Sequence, residues 1–374
     1  MRKFIGEPFE RLGGAMIDPD MVVPAALPLD LCGESVRARL CMFADHNNQD
    51  MALRPDLTLP VALAEIDLRK RTGVKDVNVH RYAARAFRQP AVPSEPMEFD
   101  QVGFERFGAA SGPEIDAESY ALVSEVSYGA GAINGIARFG DLGLVPAFID
   151  ALELPSDVNA GLRRAFRQEG GVRAFLDRIS RPADSFVATL IGHDRKTVEQ
   201  MVASEMKTLG ISHFADRTEN EVVTRLIEQA RDYASGAVPD IARDTLGAVL
   251  ELRCAPMDAA AELRAIATSA GISAGVEMHL DGLERRSALI EKLAPQYLDG
   301  ADFSPSFGRR FTYYDGFVFE IAEAGERQSR PFGAGGRYDN LLSDLSQGDV
   351  AATAIGGVVR PDRLDLAANG EPER

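Results

Sequence analysis

The sequence predicts an α+β fold: an antiparallel sheet flanked by helices and interrupted by a mainly helical insertion. Three observations carry that expectation. Phe317, Phe319 and Ile321 alternate with Val318 and Glu320, the period-two pattern of a strand. Two further strand-like runs, 77–87 and 97–105, flank the proline-rich loop Q-P-A-V-P-S-E-P. Between about Pro155 and Pro256 the apolar period becomes helical, as in T-V-E-Q-M-V-A-S-E-M-K-T-L. The expected organisation is a core made of 1–150 and 257–374, with 151–256 inserted into it.

In chain order, residues 1–15 form a short amphipathic start around Phe4, Ile5, Phe9 and Leu12. The run M-V-V-P-A-A-L-P-L carries Pro24 and Pro28 and is expected to be extended rather than helical. Residues 39–43 and 51–54 read as a hairpin, with the polar stretch 44–50 as its turn. Pro55 stops the second strand, and Thr58 or Leu59 opens a helix. Asp56 and Thr58 sit at that junction, where they either cap the helix or face a cavity. On the strand 97–105, Gln101, Gly103 and Glu105 share one face by alternation. If that face is buried, the two polar groups need a partner such as a bound ligand; if it is an exposed edge, they do not.

A helix is expected over 117–132. Its G-x-G at 129–131 follows a helix rather than a strand, which argues against a dinucleotide site. A strand over 136–139 and a turn and helix over 141–152 follow. In the insertion, breaks are placed at Gly170-Gly171, Arg181-Pro182 and Gly236 to Pro239. Helices at 257–270 and 280–293 and a strand at 302–308 lead to the strand 316–322, then a turn at 324–326. Gly333-Ala334-Gly335-Gly336 reads as a bend, with a helix starting from Tyr338. Tyr313 and Tyr314, adjacent at the mouth of the strand, are expected on opposite faces.

Composition limits the partners. The net charge is −16, and a surface that neutralises tRNA phosphates needs clustered Lys and Arg, of which the sequence has no long run. The N-terminal M-R-K-F-I-G-E-P-F-E lacks the apolar segment of a signal peptide, and no stretch approaches the ~18 apolar residues of a membrane span. A cytoplasmic protein is expected. Cys32, Cys41 and Cys254 suit reduced thiols, and the five histidines form no pair at ligand spacing, so neither a metal nor a cofactor is expected.

Four segments carry a family resemblance: R-x-x-x-Y-Y-x-x-x-V-F-E at 309–320, G-G-R-Y-D-x-L at 335–341, L-R-P-D-L-T at 53–58, and F-R followed by E-F-x-Q-x-x-x-E at 87–105. Together they resemble histidyl-tRNA synthetase, a class II aminoacyl-tRNA synthetase. The resemblance implies a class II core and a histidine site. Asp56, Thr58 and Gln101 would receive the α-amino group, Arg88 and Arg309 the carboxylate, and Glu105 with Tyr313 or Tyr314 the imidazole.

The departures from that pattern lie in the ATP half. Arg88 is followed by Gln89 and Pro90 where the synthetase motif has an acid two residues on. In A-I-G-G-V-V-R-P-D-R-L, Arg360 stands where the synthetase has glycine, Asp362 where it has its acid, and Arg363 is kept. Thr312 replaces an aspartate, and 11 residues follow Arg363, so no anticodon-binding domain is expected. An amino-acid site beside an altered ATP site resembles the regulatory subunit of ATP phosphoribosyltransferase. That resemblance, over about 1–145 and 280–365, implies a non-catalytic chain that senses L-histidine, forms a homodimer within a hetero-oligomer, and partners a short-form catalytic subunit without tRNA. A histidine-activating ligase and a truncated synthetase are the alternatives.

Overall fold

The structure is a computed structural model that describes residues 6–92, 95–167, 171–180, 183–210, 218–234, 238–308, 312–325 and 330–369. Its contacts divide into two compact units, one of Met1–Leu144, Leu250–Ala265 and Val276–Arg374, the other of Val145–Val249 and Ile266–Gly275.

The first unit is built on an eight-stranded sheet in the order β1 (Ala15–Met16), β5 (Asn78–Phe87), β6 (Glu98–Phe107), β11 (Ala354–Val359), β10 (Gly333–Arg337), β9 (Phe317–Glu323), β7 (Gly135–Asp141), β8 (Asp302–Phe303). The six central strands pair antiparallel, while β1 with β5 and β7 with β8 pair parallel, so the sheet is mixed at its margins. A second, three-stranded sheet orders β2 (Val22–Pro24), β4 (Asp50–Leu53) and β3 (Cys41–Ala44).

Helices cover both faces of the large sheet. On one face, Leu59, Val61, Ala62 and Ile66 of the helix Thr58–Thr72 share a buried cluster with Tyr82, Phe107 and Tyr338. On the other, Tyr120 of the helix Pro113–Gly129 meets Phe139 and Phe319 edge-on, with ring centroids 5.0 and 5.3 Å apart. Such pairs add ~0.5–1.5 kcal/mol each beyond the area they bury. Asp116 of the same helix is buried and accepts from Arg286 at 3.1 Å and from Arg337 at 2.6 Å, so the charges are paired rather than stranded.

The second unit is helical among its described residues. Val187, Leu190, Val198, Val202, Val223 and Ala230 form its apolar cluster, and buried Asp232 accepts from Arg164 and Arg178. The breaks expected at Gly170-Gly171, Arg181-Pro182 and Gly236 to Pro239 fall wholly or partly outside the described residues. No helix among the described residues is long and apolar enough to cross a membrane.

Several local expectations are corrected. Ala26–Leu31 is a short helix despite Pro28, which occupies its first turn, where the missing N–H has no intrahelical acceptor to lose. The strand expected at 302–308 is two residues long and gives way to a turn. The run Gly333–Arg337 is no bend; it is the strand β10, central in the sheet. A Cβ on Gly335 would lie 2.5 Å from both the Gly356 carbonyl and the Phe319 ring, so side-chain-free residues let an aromatic strand and a backbone close on either side.

Candidate functional site

The site grows from the pairing of β5, β6 and β11. In this register His80 faces Glu105, Tyr82 faces Gly103 and Ala84 faces Gln101, and across the other edge of β6 Gly356 faces Glu105. Two glycines leave the room. A Cβ on Gly356 would sit 1.7 Å from Glu105 Oε2, and one on Gly103 would sit 2.7 Å from the Tyr82 hydroxyl.

Into that space Glu105, 1% exposed, places a carboxylate that accepts three hydroxyls. Thr58 donates at 2.8 Å and Tyr82 at 3.1 Å to Oε1, and Tyr338 donates to Oε2. Burial, with Asp56 adding to it, pushes the Glu105 carboxyl up to about 7, although the hydroxyls of Tyr338, Thr58 and Tyr82 pull it back. Burial likewise pushes the hydroxyls of Tyr82, Tyr313, Tyr314 and Tyr338 up, so at neutral pH they remain donors.

Asp56 lies at the junction before the helix Thr58–Thr72 and serves both of the roles open to it. Its Oδ1 accepts the Leu59 amide at 3.3 Å, a helix-start contact, while buried Oδ2 has no hydrogen-bond partner. Burial raises the carboxyl, and Arg88, the Leu59 and Thr58 amides and Tyr313 draw it back. On β6, the buried Oε1 of Gln101 also has no partner. Unpartnered buried acceptors are costly.

Tyr313 and Tyr314 do not point apart. They lie in a turn ahead of β9, where strand alternation has no force, and their rings are 4.8 Å apart. Both contact the Tyr338 ring, at 5.8 and 6.2 Å. The turn is tied down on two sides, by Thr312 N–H donating to the Leu31 carbonyl at 3.2 Å and by Asp315 accepting the Asp339 and Asn340 amides. Asp56, Thr58, Arg88, Glu105, Tyr313 and Tyr314 thus interact with one another directly or in sequence, and Gln101 lies on the same face of β6. Arg309 lies outside the described residues.

Arg88 links this pocket to a second one. It donates to the Pro55 carbonyl at 2.8 Å, and burial lowers its basicity, with Asp56 opposing and Arg360 adding to that shift. Arg88 also lines a cleft with Arg39, Glu95, Phe99, Arg330, Arg360, Asp362 and Arg363. There the Arg360 guanidinium lies 3.6 Å from the centre of the Phe99 ring, held by two bonds to Asp362 at 2.9 and 2.7 Å. The flat face of Phe99 is therefore covered by a side chain of the protein itself.

The sequence matches the histidyl-tRNA synthetase family over residues 1–231 and 212–364. Curated proteins described as ATP phosphoribosyltransferase regulatory subunit, from Brucella canis and Brucella ovis, are each 31% identical over 362 residues, covering 94% of this chain and 93% of theirs. The chain belongs to the ATP phosphoribosyltransferase regulatory subunit family. Solved structures agree on the fold of that family. One from Bacillus halodurans, described as an ATP phosphoribosyltransferase regulatory subunit/histidyl-tRNA synthetase, superposes with a TM-score of 0.62 at 22% identity, covering 99% of this chain and 79% of the other. A histidyl-tRNA synthetase from Nostoc gives 0.59 at 15% identity, covering 99% and 72%. The mixed sheet flanked by helices in this regulatory-subunit chain is thus the class II synthetase core.

Sequence reasoning missed Tyr82, Tyr338, Glu95 and Phe99 as site residues. Tyr82 could have been found, because it lies on the face of β5 that meets Gly103 and Glu105 once the two strands are paired about their loop. The arginine cleft could not, since its members come from positions 39, 88, 330, 360 and 363 and no local pattern joins them.

Proposed function

We propose that this chain binds L-histidine in the pocket around Glu105, carries out no aminoacylation, and acts in the cytoplasm as the regulatory partner of a short-form ATP phosphoribosyltransferase catalytic subunit, at the first step of histidine biosynthesis. The observation that carries the proposal is the contrast between two neighbouring pockets. The amino-acid pocket keeps buried acceptors with nothing to accept, Asp56 Oδ2 and Gln101 Oε1, while Arg360, which stands where the synthetase has glycine in its ATP half, is stacked on Phe99.

The chemistry fits histidine group by group. The ammonium is assigned to Asp56 and Gln101, with Thr58 fixing the carboxylate of Glu105 beside them. The carboxylate is assigned to Arg88, joined by Arg309, a guanidinium being suited to two parallel bonds. The imidazole is assigned to Glu105, with Tyr313 or Tyr314 at its other nitrogen. A buried site of this kind discriminates against apolar amino acids because its own groups would be left unpaired.

Calorimetry of the wild type and of Glu105→Gln with L-histidine tests the ligand. Wild type is expected to bind, and the variant to lose roughly 2–3 kcal/mol of binding free energy. Equal binding by both proteins means that Glu105 does not read the imidazole. The regulatory part is tested by adding the chain to the short-form catalytic subunit, whose rate should depend on it and fall when L-histidine is added. A catalytic subunit that ignores the chain at all concentrations removes that assignment.

A further inference from the structure

The helix Thr58–Thr72 brings Thr58 to the pocket and buries a second polar group two turns further on. Thr58, Ala62, Glu65 and Arg69 follow the spacing of one helix stripe, and all four are buried. Glu65 is 0% exposed, and its carboxylate takes donors from its own helix and from β5. Arg69 donates to Oε1 at 2.6 Å, and Asn78 at 2.7 Å and His80 at 2.8 Å donate to Oε2. Burial pushes the Glu65 carboxyl up, but the bonds from His80, Arg69 and Asn78 outweigh it and hold the group below its ordinary value. Glu65 is therefore a carboxylate, and His80 Nε2 carries the proton of the shared bond. The buried Nδ1 of His80 has no partner, so the ring's hydrogen bonding is spent on its Nε2 side, towards Glu65. A buried charge is a poor source of stability beside an apolar side chain of the same size. What it supplies is direction.

The apolar contacts of this helix, through Leu59, Val61 and Ile66, are non-directional and tolerate rotation. Its hydrogen bonds do not. Thr58 attaches the stripe to Glu105 of β6 at 2.8 Å, and Glu65 attaches it to β5 about 10 Å further along the axis. With side-chain tips about 5 Å from the axis, a rotation of about 10° moves a tip by about 1 Å, enough to break the Thr58 bond. We propose that Glu65 and His80 are positioning residues for the amino-acid pocket: their bond fixes the rotation of the helix, and so holds the Thr58 hydroxyl on Glu105 with Asp56 beside it. The consequence for affinity rests on the reading of that pocket as the L-histidine site. The positioning itself does not.

The test compares His80→Gln with His80→Asn, two neutral amides of which only the longer reaches the place of Nε2. The readout is the titration of Glu105, followed in the full chain by NMR of its side-chain carboxyl carbon, beside calorimetry with L-histidine. His80→Asn is expected to move the Glu105 midpoint upward by about one pH unit, because a hydroxyl that stabilised the charged form is lost, and to weaken L-histidine roughly tenfold. His80→Gln is expected to leave the midpoint close to that of wild type and the affinity within about threefold. In a Thr58→Val background, where that hydroxyl is already gone, His80→Asn is expected to add no shift. Asn78→Ala removes a donor to the same Glu65 oxygen from a half-buried position. It is expected to shift Glu105 the same way by less, and it stands in if His80→Asn does not fold. The proposal is overturned if Glu105 titrates alike in all these proteins, or if the shift persists in Thr58→Val. It is also overturned if His80→Gln shifts Glu105 as far as His80→Asn does, since His80 would then act by its own charge on the Glu105 it faces across the strands. A wild type that shows the expected Glu105 pattern without binding L-histidine upholds the positioning and removes only the ligand reading.

Discussion

At Glu105 a single buried carboxyl ties the pocket to the stability of the whole chain. Its folded-state value, about 7, stands above the ordinary 4.5 because burial disfavours the charged form more than three hydroxyls can offset. Between those two values the folded chain holds a proton that the unfolded chain has released. The stability this group contributes is thus full below about pH 4.5, falls as pH rises through 7, and is level above it. Urea denaturation of wild type and Glu105→Gln across this range isolates the effect from that of other titrating groups. The stability difference, wild type minus variant, is expected to drop by roughly 3 kcal/mol from pH 4.5 to about pH 8. A difference that is flat, or that rises with pH, would mean that Glu105 is charged throughout and more strongly satisfied than its surroundings indicate. Tyr82 and Tyr338 explain why the carboxyl survives burial at all, and neither is marked by its neighbours in sequence. Tyr338 stands within G-G-R-Y-D, where the glycines draw the eye to a bend while the tyrosine hydroxyl does the work of a donor.

Strands β6, β10 and β11 show how glycine can be a site-building residue. A Cβ on Gly356 would overlap the Glu105 carboxylate, so Gly356→Ala must displace either the strand or the acid. The expected cost is roughly 1–3 kcal/mol of stability, with L-histidine binding lost. Gly282, inside the helix Ser273–Leu293, has nothing within 4 Å of an added Cβ, and Gly282→Ala is expected to stabilise by roughly 0.5–1 kcal/mol through helix propensity alone. Thermal melts and histidine titrations of the two variants check the contrast; equal effects at both positions would show that the glycines matter only for backbone freedom. The same elements mark what the sequence makes legible. β5 and β6 were readable because two strand-like runs flank a proline-rich loop, which dictates their pairing. β10 was not, because its strand character is imposed by its neighbours β9 and β11 rather than by its own residues. Asp56, Thr58 and Glu105 were readable as chemistry in a motif, whereas the stacking of Arg360 on Phe99 joins residues 261 positions apart and needed the fold.

At the scale of the whole molecule, the small sheet carries exposed apolar residues among the described ones. One of its faces packs inward through Val23 and Ala52 with Ala25 and Leu29. The register puts Val22, Pro24, Leu53, Met51, Cys41 and Phe43 together on the opposite face. An antiparallel sheet with one solvated face normally alternates polar residues onto it, and this one does not. Val22 is 40% exposed and Phe43 44%, with Met21 at 48% beside them. A contiguous apolar face of this kind marks an association surface. A homodimer through this sheet would account for it, since an isologous contact lets one apolar patch serve both protomers. Phe43→Glu tests the idea without touching either pocket: it leaves the buried face of the sheet alone and places two like charges at the proposed interface. The wild-type chain at tens of micromolar is expected to run as a dimer in size-exclusion chromatography with light scattering. Phe43→Glu is expected to run as a monomer, since desolvating an unpaired carboxylate on each side costs roughly 3 kcal/mol or more and weakens association by at least ~100-fold. The variant should still bind L-histidine if Glu105 reads it, because Glu105 lies on the large sheet. A monomeric wild type, or a dimer indifferent to Phe43→Glu, would assign this face to some other contact.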